Sequence, residues 1–427
     1  MRSKYLSAFA ALCASSLISL DASALPWGAD GHAVWGGSVW GDPETQFAAM
    51  QKYGLTSYRF DMPLVDDLPS APQTLQTLVT LAAKYHITLH PVIYIPFNWD
   101  DNITDAGRYP ATLAGLEEQG YNRVYPIVKQ FGSQIQDWEL DNEVSLIPGV
   151  KSGMGYSPGD YNTTTAQQWA AALKGMSNAI IAVRQETGVN LNTVVDIMYV
   201  DFGLIGFLEN NGVEVDKVGY HYYYTLNQNP YHIIAPNGQA YDIFAEMNKL
   251  GKPIAINEFN AAEIYAPVNN PPEPYNDAQA LMSLQEHINY IRNETEVPIE
   301  DVEYYELYND TNPTLNAAES NFGLMLNATT AKTQMLLAAV YSCSALTSSE
   351  DSTLISHGLF TTATLASQRA SCSAATTAST TSIATTTASA APVVSTVPAP
   401  APITTAAGHH PHAHHKHPYD FFNHWGA

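Results

Sequence analysis

Basic residues are scarce in this chain of 427 residues, which has 18 lysines and arginines against 41 aspartates and glutamates. The formal net charge is −23 at pH 7. Nucleic acids and anionic membrane surfaces are bound mainly through Lys and Arg, so the composition argues against both as partners. Charged residues of either sign make up 14% of the chain, below the usual share of about 25%, as in many secreted proteins with neutral polar surfaces.

Cysteine is also rare, with three residues in the chain. Cys13 lies in the N-terminal segment, which leaves Cys343 and Cys372 for the rest of the protein. These two can pair in an oxidising compartment. The sequence leaves their pairing open, because Cys372 already lies in low-complexity sequence.

The apolar run at the N-terminus is too short and too rich in serine to favour a membrane span. It covers residues 5–20, follows Arg2 and Lys4, and ends before the small residues 22–24. This pattern predicts a signal peptide at residues 1–24 and a mature chain that begins at Leu25. We therefore expect a secreted or extracytoplasmic protein, in the periplasm or at the cell surface, with no membrane span.

Apolar segments typical of strands alternate with segments of helical spacing through residues 25–362, which predicts one domain with a (β/α)₈ TIM barrel fold. A doubly wound open sheet is the alternative, but no Gly-rich phosphate loop follows the first predicted strand. The eight predicted strands are residues 33–39, 56–60, 87–95, 135–140, 193–199, 218–224, 254–259 and 302–308. A helix over residues 331–346 is expected to close the barrel.

The composition changes after this domain. Residues 363–408 are mostly Ala, Thr, Ser and Pro, which cannot form a packed core and predict a disordered linker. Residues 409–427 are rich in histidine. Such a tail can bind metal ions opportunistically or act as a pH-sensitive surface anchor, but a solvated tail without a dedicated ligand is the favoured interpretation.

Two glutamates follow asparagines at the ends of predicted strands. Asn142-Glu143 ends the fourth strand, and Asn257-Glu258 ends the seventh. The C-terminal ends of the strands are where barrel enzymes carry their chemistry. Two carboxyl groups at this end are what cleavage of a glycosidic bond requires.

The two glutamates are expected to divide the reaction between them. Glu143 would act as general acid and then general base, and Glu258 would stay ionised and attack the anomeric carbon, assisted by Arg59. Asn142 would bind the sugar 2-hydroxyl. His221 would donate to a sugar hydroxyl or to Glu258, with a structural histidine in the core as the alternative. No cofactor and no catalytic metal are expected.

This set of residues resembles clan A of the retaining glycoside hydrolases, the (β/α)₈ barrels typified by families 5 and 39. The resemblance covers residues 30–347 and implies that an arginine at the end of strand two supports the nucleophile, while the tyrosine of a His-x-Tyr motif at the end of strand six hydrogen-bonds it. At strand eight the chain has Tyr304-Tyr305, where many members place a tryptophan. The residues that carry the resemblance are Arg59, Asn142, Glu143, His221, Tyr223 and Glu258.

The predicted function is therefore hydrolysis of a poly- or oligosaccharide by a retaining double displacement, with the two carboxyl groups about 5–5.5 Å apart. Transglycosylation by the same residues, a non-catalytic carbohydrate-binding or surface-display barrel, and a metal-handling protein built on the tail are the alternatives. The sequence identifies neither the sugar nor endo or exo action. Candidate aromatic platforms for sugar rings are Trp35, Trp40, Tyr94, Phe97, Trp99, Tyr156, Tyr222, Tyr224 and Tyr265.

Overall fold

The computed structural model of the protein describes residues 25–34, 40–62, 70–94, 110, 112–224, 227–260, 277–309 and 321–383, with side chains up to residue 372. The predicted signal peptide, the His-rich tail and the linker beyond residue 383 lie outside the described residues. Among the helices that are described, none combines the length and the apolar character needed to cross a membrane.

Eight parallel strands close into a barrel, as the alternating pattern predicts. The strands of the barrel and of two small pairs outside it are numbered together in chain order. They are β1 (Trp27–Gly31), β2 (Ser57–Met62), β3 (Thr88–Ile93), β4 (Asp137–Leu140), β5 (Asn192–Met198), β6 (Lys217–Tyr222), β7 (Ile233–Ile234), β8 (Ala240–Tyr241), β9 (Ile254–Phe259), β10 (Ile299–Tyr304), β11 (Met325–Asn327) and β12 (Thr330–Ala331). The barrel order is β1-β2-β3-β4-β5-β6-β9-β10, and β10 pairs with β1. The remaining strands form two small antiparallel pairs, β7 with β8 and β11 with β12.

Helices surround the barrel. They are α1 (Pro43–Lys52), α2 (Ala71–Tyr85), α3 (Leu113–Phe131), α4 (Thr164–Thr187), α5 (Gly203–Asn210), α6 (Ile243–Lys249), α7 (Asp277–Asn293), α8 (Thr333–Tyr341), α9 (Ser348–Ser356) and α10 (Thr362–Ile383). Side chains cap several of them: Asp42 accepts from Thr45 N at the start of α1, and Thr163 accepts from Ala166 N at the start of α4. Such caps satisfy backbone donors that the first helical turn leaves without partners.

The hydrophobic core lies between the strands and the helices. On β2, Tyr58 and Phe60 are buried on the outer face, where Tyr58 packs against Phe47 of α1. Because successive strand residues point to opposite faces, Arg59 points into the barrel. The barrel interior is accordingly polar, and its buried groups include Asp30, Arg59, Glu139, Asp196, His221, Asn257 and Glu258.

The predicted first strand at residues 33–39 is wrong. The strand is β1, Trp27–Gly31, and residues 35–39 lie outside the described residues. Its sequence, Trp-Gly-Ala-Asp-Gly, has low intrinsic strand propensity. Pairing with β2 and β10 on both sides supplies the stabilisation that the residues themselves do not.

The predicted boundary of the domain at residue 362 is also corrected. Residues 363–372, assigned to the linker, belong to α10, where Leu365 is buried and Arg369 forms two hydrogen bonds to Asp351. Cys372 is disulfide-bonded to Cys343, which settles the open pairing. Alanine and threonine can form a helix when such contacts hold one face of it, and composition alone does not record those contacts.

We expect the Cys343–Cys372 bond to stabilise the domain, since it closes a loop with a sequence separation of 29 residues. A closed loop of this size reduces the entropy of the unfolded chain, and removal of the disulfide lowers the free energy of unfolding by about 2–4 kcal/mol. Cys343→Ser should lower the free energy of unfolding by this amount in urea titrations. The matched control is Cys343→Ser with Cys372→Ser, which should equal the single variant. An unchanged unfolding midpoint would contradict the stabilising role.

Candidate active site

Arg59 lies at the centre of the barrel interior and uses all five of its N–H donors. Nε and Nη2 bind the two carboxylate oxygens of Glu139 at 2.8 and 2.7 Å. Nη1 donates to Asp30 Oδ2 at 3.0 Å and to Glu258 Oε1 at 2.7 Å. Nη2 also donates to Asn142 Oδ1 at 2.7 Å. One planar group therefore fixes four side chains from three segments of the barrel: β1, β4 with its C-terminal end, and β9.

Glu258 reaches the barrel interior through a β-bulge. Between the pairs Gly219↔Ala255 and His221↔Glu258, β9 has one residue more than β6, and its pairing with β10 shifts at the same place. A bulge re-aims the side chains that follow it. Strict alternation would send Glu258 outward with Ile254 and Ile256, whereas the bulge lets both Asn257 and Glu258 face inward.

Gly219 makes room for this bulge. A Cβ atom at Gly219 would lie 2.5 Å from Asn257 Nδ2 and 2.7 Å from Asn257 Oδ1. Any side chain there would therefore displace the inward-facing Asn257, and with it the segment that carries Glu258.

Glu143 follows β4 in a left-handed backbone conformation, with φ of 50°. Asp141 is also left-handed, with φ of 65°, a conformation that costs a non-glycine residue of the order of 1 kcal/mol or more. Two hydrogen bonds hold the turn: Asn142 N donates to Asp141 Oδ1 at 2.7 Å, and Glu143 N donates to Asp196 Oδ2 at 2.8 Å. The turn directs the Glu143 carboxyl towards Glu258.

His221 lies between the two glutamates. Its Nδ1 is 2.8 Å from Glu143 Oε1 and 3.4 Å from Glu258 Oε2. One carboxylate oxygen of each glutamate and a ring nitrogen of His221 all lie within 4.8 Å of one another. The expected hydrogen bond of His221 to Glu258 is thus the longer contact, and its main partner is Glu143.

Tyr223 completes the surroundings of Glu258. Its hydroxyl donates to Glu258 Oε2 at 2.6 Å, so Arg59 and Tyr223 bind different oxygens of the same carboxylate. The ring of Tyr223 packs with Phe322, which in turn contacts Tyr305. The two contacts to Glu258 that the sequence leads us to expect are present.

Burial and charge set the protonation of these groups. Burial raises the pKa of Glu258 and Glu143 adds to the rise, while Arg59 and Tyr223 oppose it. Burial likewise raises the pKa of Asp30 well above its usual value, although Arg59 opposes the change. Burial lowers the pKa of His221 to about 4. His221 is therefore neutral near pH 7, and a dry site with more carboxyl groups than cations retains protons on some of them.

The six predicted site residues all lie in this one cluster, and their catalytic and binding roles remain predictions. Asp30 and Asp196 are members of the cluster that the sequence pattern missed. Asp30 was missed because the first strand was placed too late. Asp196 carries one usable signal, an acidic residue in an otherwise apolar strand, which marks a side chain that needs a buried partner.

Three of the predicted aromatic platforms are instead core residues. Tyr222 and Tyr224 are buried against His287 of α7, and Trp40 is buried against Tyr308. Tyr94 donates a hydrogen bond to Asp61. Trp35, Phe97, Trp99 and Tyr265 lie outside the described residues.

Solved structures of glycoside hydrolases share this fold. A family 39 glycoside hydrolase from Bacteroides cellulosilyticus WH2 is 17% identical with a TM-score of 0.54, and the match covers 75% of this chain and 64% of that one. An exo-beta-1,4-mannosidase from Opitutaceae bacterium strain TAV5 is 14% identical with a TM-score of 0.50, covering 74% and 59%. A fungal beta-1,4-galactanase is 15% identical with a TM-score of 0.51, covering 75% and 99%.

The feature that this chain shares with these glycoside hydrolases is the fold, a closed barrel of eight parallel strands. No protein-family model matches the sequence, and no curated protein matches it either. The chain spans less than two thirds of the length of the first two solved structures, 64% and 59%. At these identities the likeness shows the (β/α)₈ barrel fold, and activity, substrate and mechanism have to be argued from the residues of the site.

Replacing Arg59 by Gln should destabilise the barrel by about 3–5 kcal/mol, because it leaves buried carboxylates without their cation. The matched control is Arg184→Gln. Arg184 binds Glu214 and Asp216 near the surface, where such pairs contribute about 1 kcal/mol or less. Free energies of unfolding from urea titrations at pH 7 measure both losses, and equal losses would contradict the central role of Arg59.

The pH dependence of the Arg59→Gln variant has a defined sign. Without the guanidinium, the buried carboxyl groups have folded-state pKa values above their unfolded values. They bind more protons in the folded state, so the stability of the variant falls as pH rises. The difference in the free energy of unfolding between the variant and the unsubstituted protein should therefore be smaller at pH 5 than at pH 8.

Proposed function

We propose that the protein is a retaining glycoside hydrolase, with Glu258 as nucleophile and Glu143 as general acid and base. The observation that carries the proposal is the short separation of the two carboxylates, with oxygens within 4.8 Å of one another. Inverting enzymes need carboxyl groups about 6.5–9.5 Å apart to hold a water between them, and retaining enzymes need about 5–5.5 Å.

The surroundings of each glutamate fit these roles. Arg59 and Tyr223 each donate a hydrogen bond to Glu258, which favours its ionised form against the effect of burial. Glu143 is bonded by a neutral histidine. Because two carboxylate oxygens face Nδ1 of His221, the proton of the imidazole is favoured on Nδ1, which then donates to Glu143 Oε1. The proton that Glu143 transfers is then carried by its other carboxyl oxygen, Oε2.

The reaction takes two displacements. In the first, Glu258 forms a bond to the anomeric carbon, the glycosidic C–O bond breaks, and Glu143 gives its proton to the leaving oxygen. In the second, Glu143 takes a proton from water, the water oxygen bonds to the anomeric carbon, and the Glu258 carboxylate leaves. Asn142, whose Oδ1 accepts from Arg59, has its amide N–H donors for the sugar 2-hydroxyl.

We also propose that the protein is exported and acts on a poly- or oligosaccharide outside the cytoplasm. The Cys343–Cys372 disulfide supports this, because such bonds persist mainly in oxidising compartments. The residue pattern at 1–24 supports a signal peptide. Sequencing the N-terminus of the mature chain tests the predicted start at Leu25.

Glu143→Gln and Glu258→Gln should each lower hydrolysis of an alkyl glycoside by about 10²–10⁴-fold or more. On 2,4-dinitrophenyl glycosides, Glu143→Gln should still show a burst of dinitrophenol, because this leaving group departs without a proton. Glu258→Gln should show none. Stopped-flow absorbance measures the burst, and proton NMR of the first product should show retention at the anomeric carbon.

The matched control for both variants is Glu118→Gln, which changes an exposed glutamate on α3. It should retain the activity of the unsubstituted protein, and circular dichroism should show all three variants folded. A burst from Glu258→Gln but not from Glu143→Gln would reverse the assigned roles, and inversion of the product would refute the retaining mechanism.

Tyr223→Phe should shift the acidic limb of the pH profile of kcat/KM upward by about one unit. The Tyr223 hydrogen bond lowers the pKa of Glu258, so its removal raises that pKa, and a higher pH is then needed to ionise the nucleophile. The size of the shift follows from a hydrogen bond to a charged group, about 1.5–3 kcal/mol. An unchanged acidic limb would show that Tyr223 does not control this ionisation.

A further inference from the structure

A second polar cluster lies one layer nearer the N-terminal ends of the strands than Arg59. Alternate residues of a strand share a face, and the inward side chains of a barrel stack in layers. Glu303 on β10 pairs with Gly28, which precedes Asp30 by two residues on β1. Because Asp30 binds Arg59, Glu303 lies below Arg59, away from the mouth at which the two proposed catalytic glutamates lie.

Three side chains of this cluster, His90, Asp301 and Glu303, are spaced as the ligands of a metal ion are. One ligand atom of each lies within 4.8 Å of the other two. Nδ1 of His90 is 2.9 Å from Glu303 Oε1. Ligands that surround Zn²⁺ in a tetrahedron at about 2.1 Å lie about 3.4 Å from one another, so the three atoms need only small movements to bind one ion.

A small cavity lies beside these side chains. Its volume is about 10 Å³, and its lining includes His90, Glu303 and Asn257. Glu303 is 0% exposed and Asn257 is 2% exposed. Within the described residues, Glu303 Oε2 and both polar atoms of the Asn257 side chain have no hydrogen-bond partner. Buried polar atoms are ordinarily paired, so these atoms indicate a species bound in the cavity.

The charge of the cluster favours a cation over a water molecule. Even with His90 protonated, the three carboxylates of Asp137, Asp301 and Glu303 outnumber the two cations His90 and Lys217. Lys217 Nζ lies 3.6 Å from Asp301 Oδ2, and Asp301 Oδ1 has no hydrogen-bond partner in the part of the chain that the structure describes. A bound cation would offset the excess negative charge and give this oxygen a partner.

The donor atoms and the size of the cavity select the kind of ion. Imidazole nitrogen suits Zn²⁺, whereas Mg²⁺ and Ca²⁺ prefer oxygen ligands. Mg²⁺ usually keeps several waters and Ca²⁺ takes about six to eight oxygens, but a cavity of about 10 Å³ has room for about one water. Asn257 Oδ1 would supply a fourth ligand, which is the number that structural zinc sites have. His90 is 12% exposed, which leaves the site a path to solvent.

We propose that His90, Asp301 and Glu303, with the amide oxygen of Asn257, bind one Zn²⁺ ion that stabilises the barrel interior. The layer of Arg59 lies between this ion and the mouth of the barrel, so the ion has a structural role and takes no part in bond cleavage. The inference does not depend on the proposed glycosidase function.

The test uses the full chain, treated with EDTA and then exchanged into buffer that contains Zn²⁺ or Mg²⁺. Because the histidines of residues 409–427 can also bind Zn²⁺, a synthetic peptide of that segment measures the share of the tail. Plasma mass spectrometry should find about one more Zn²⁺ per chain than the peptide binds. Zn²⁺ at about 100 times its Kd should raise the Tm by about 4 °C, and Mg²⁺ should leave it unchanged. A zinc content equal to that of the peptide, or a Tm that Zn²⁺ does not raise, would overturn the proposal.

Substitutions locate the ion. Glu303→Gln and His90→Gln each remove a ligand, and the matched controls Glu118→Gln and His232→Gln change exposed residues. In the two ligand variants the zinc content should fall to the share of the tail, and the rise in Tm with Zn²⁺ should be lost. The controls should keep both. Equal zinc content in ligand variants and controls would refute the assigned ligands.

X-ray absorption at the zinc edge decides the matter on the unsubstituted protein, even if a ligand variant fails to fold. With one equivalent of Zn²⁺, the spectrum should fit one imidazole nitrogen and about three oxygens at about 2.0–2.2 Å. A spectrum that fits two or more imidazoles would assign the ion to the histidines of the tail and overturn the proposal.

Discussion

Arg59 places a positive charge inside a barrel that excludes water, where each of its five N–H donors needs an acceptor. Glu139, Asp30, Glu258 and Asn142 supply those acceptors. The plane of the guanidinium fixes the direction of every bond, so the four side chains are held in one arrangement. The hydrogen bonds of Arg59 therefore both position the proposed nucleophile and stabilise the barrel interior.

Strand geometry explains how the remaining groups are arranged around that charge. Parallel strands in register bring their C-terminal ends to one mouth, and alternation stacks their inward side chains in layers. Arg59 and Glu258 lie in one layer, and Asp61 lies in the next. The same geometry therefore stacks the polar side chains of the barrel interior in successive layers below its mouth.

Much of this arrangement follows from local sequence. Alternating strand and helix patterns predict the eight-stranded barrel, and its closure is confirmed. Glu143 and Glu258 are recognisable because a carboxylate next to an amide at the end of an apolar strand is a costly residue to bury without a role. β1 was misplaced because its residues have little intrinsic strand propensity, so no local pattern marks it.

By itself the sequence determined the order of the strands, the barrel and the chain positions of the two glutamates, because periodicity and strand-end chemistry are local properties. Only the tertiary structure decided the rest. The bulge in β9 that turns Glu258 inward, the bonding of His221 to Glu143 and the joining of Cys343 to Cys372 all depend on contacts between distant segments. Such contacts are set by strand register and packing around the closed barrel, and no short stretch of sequence specifies either one.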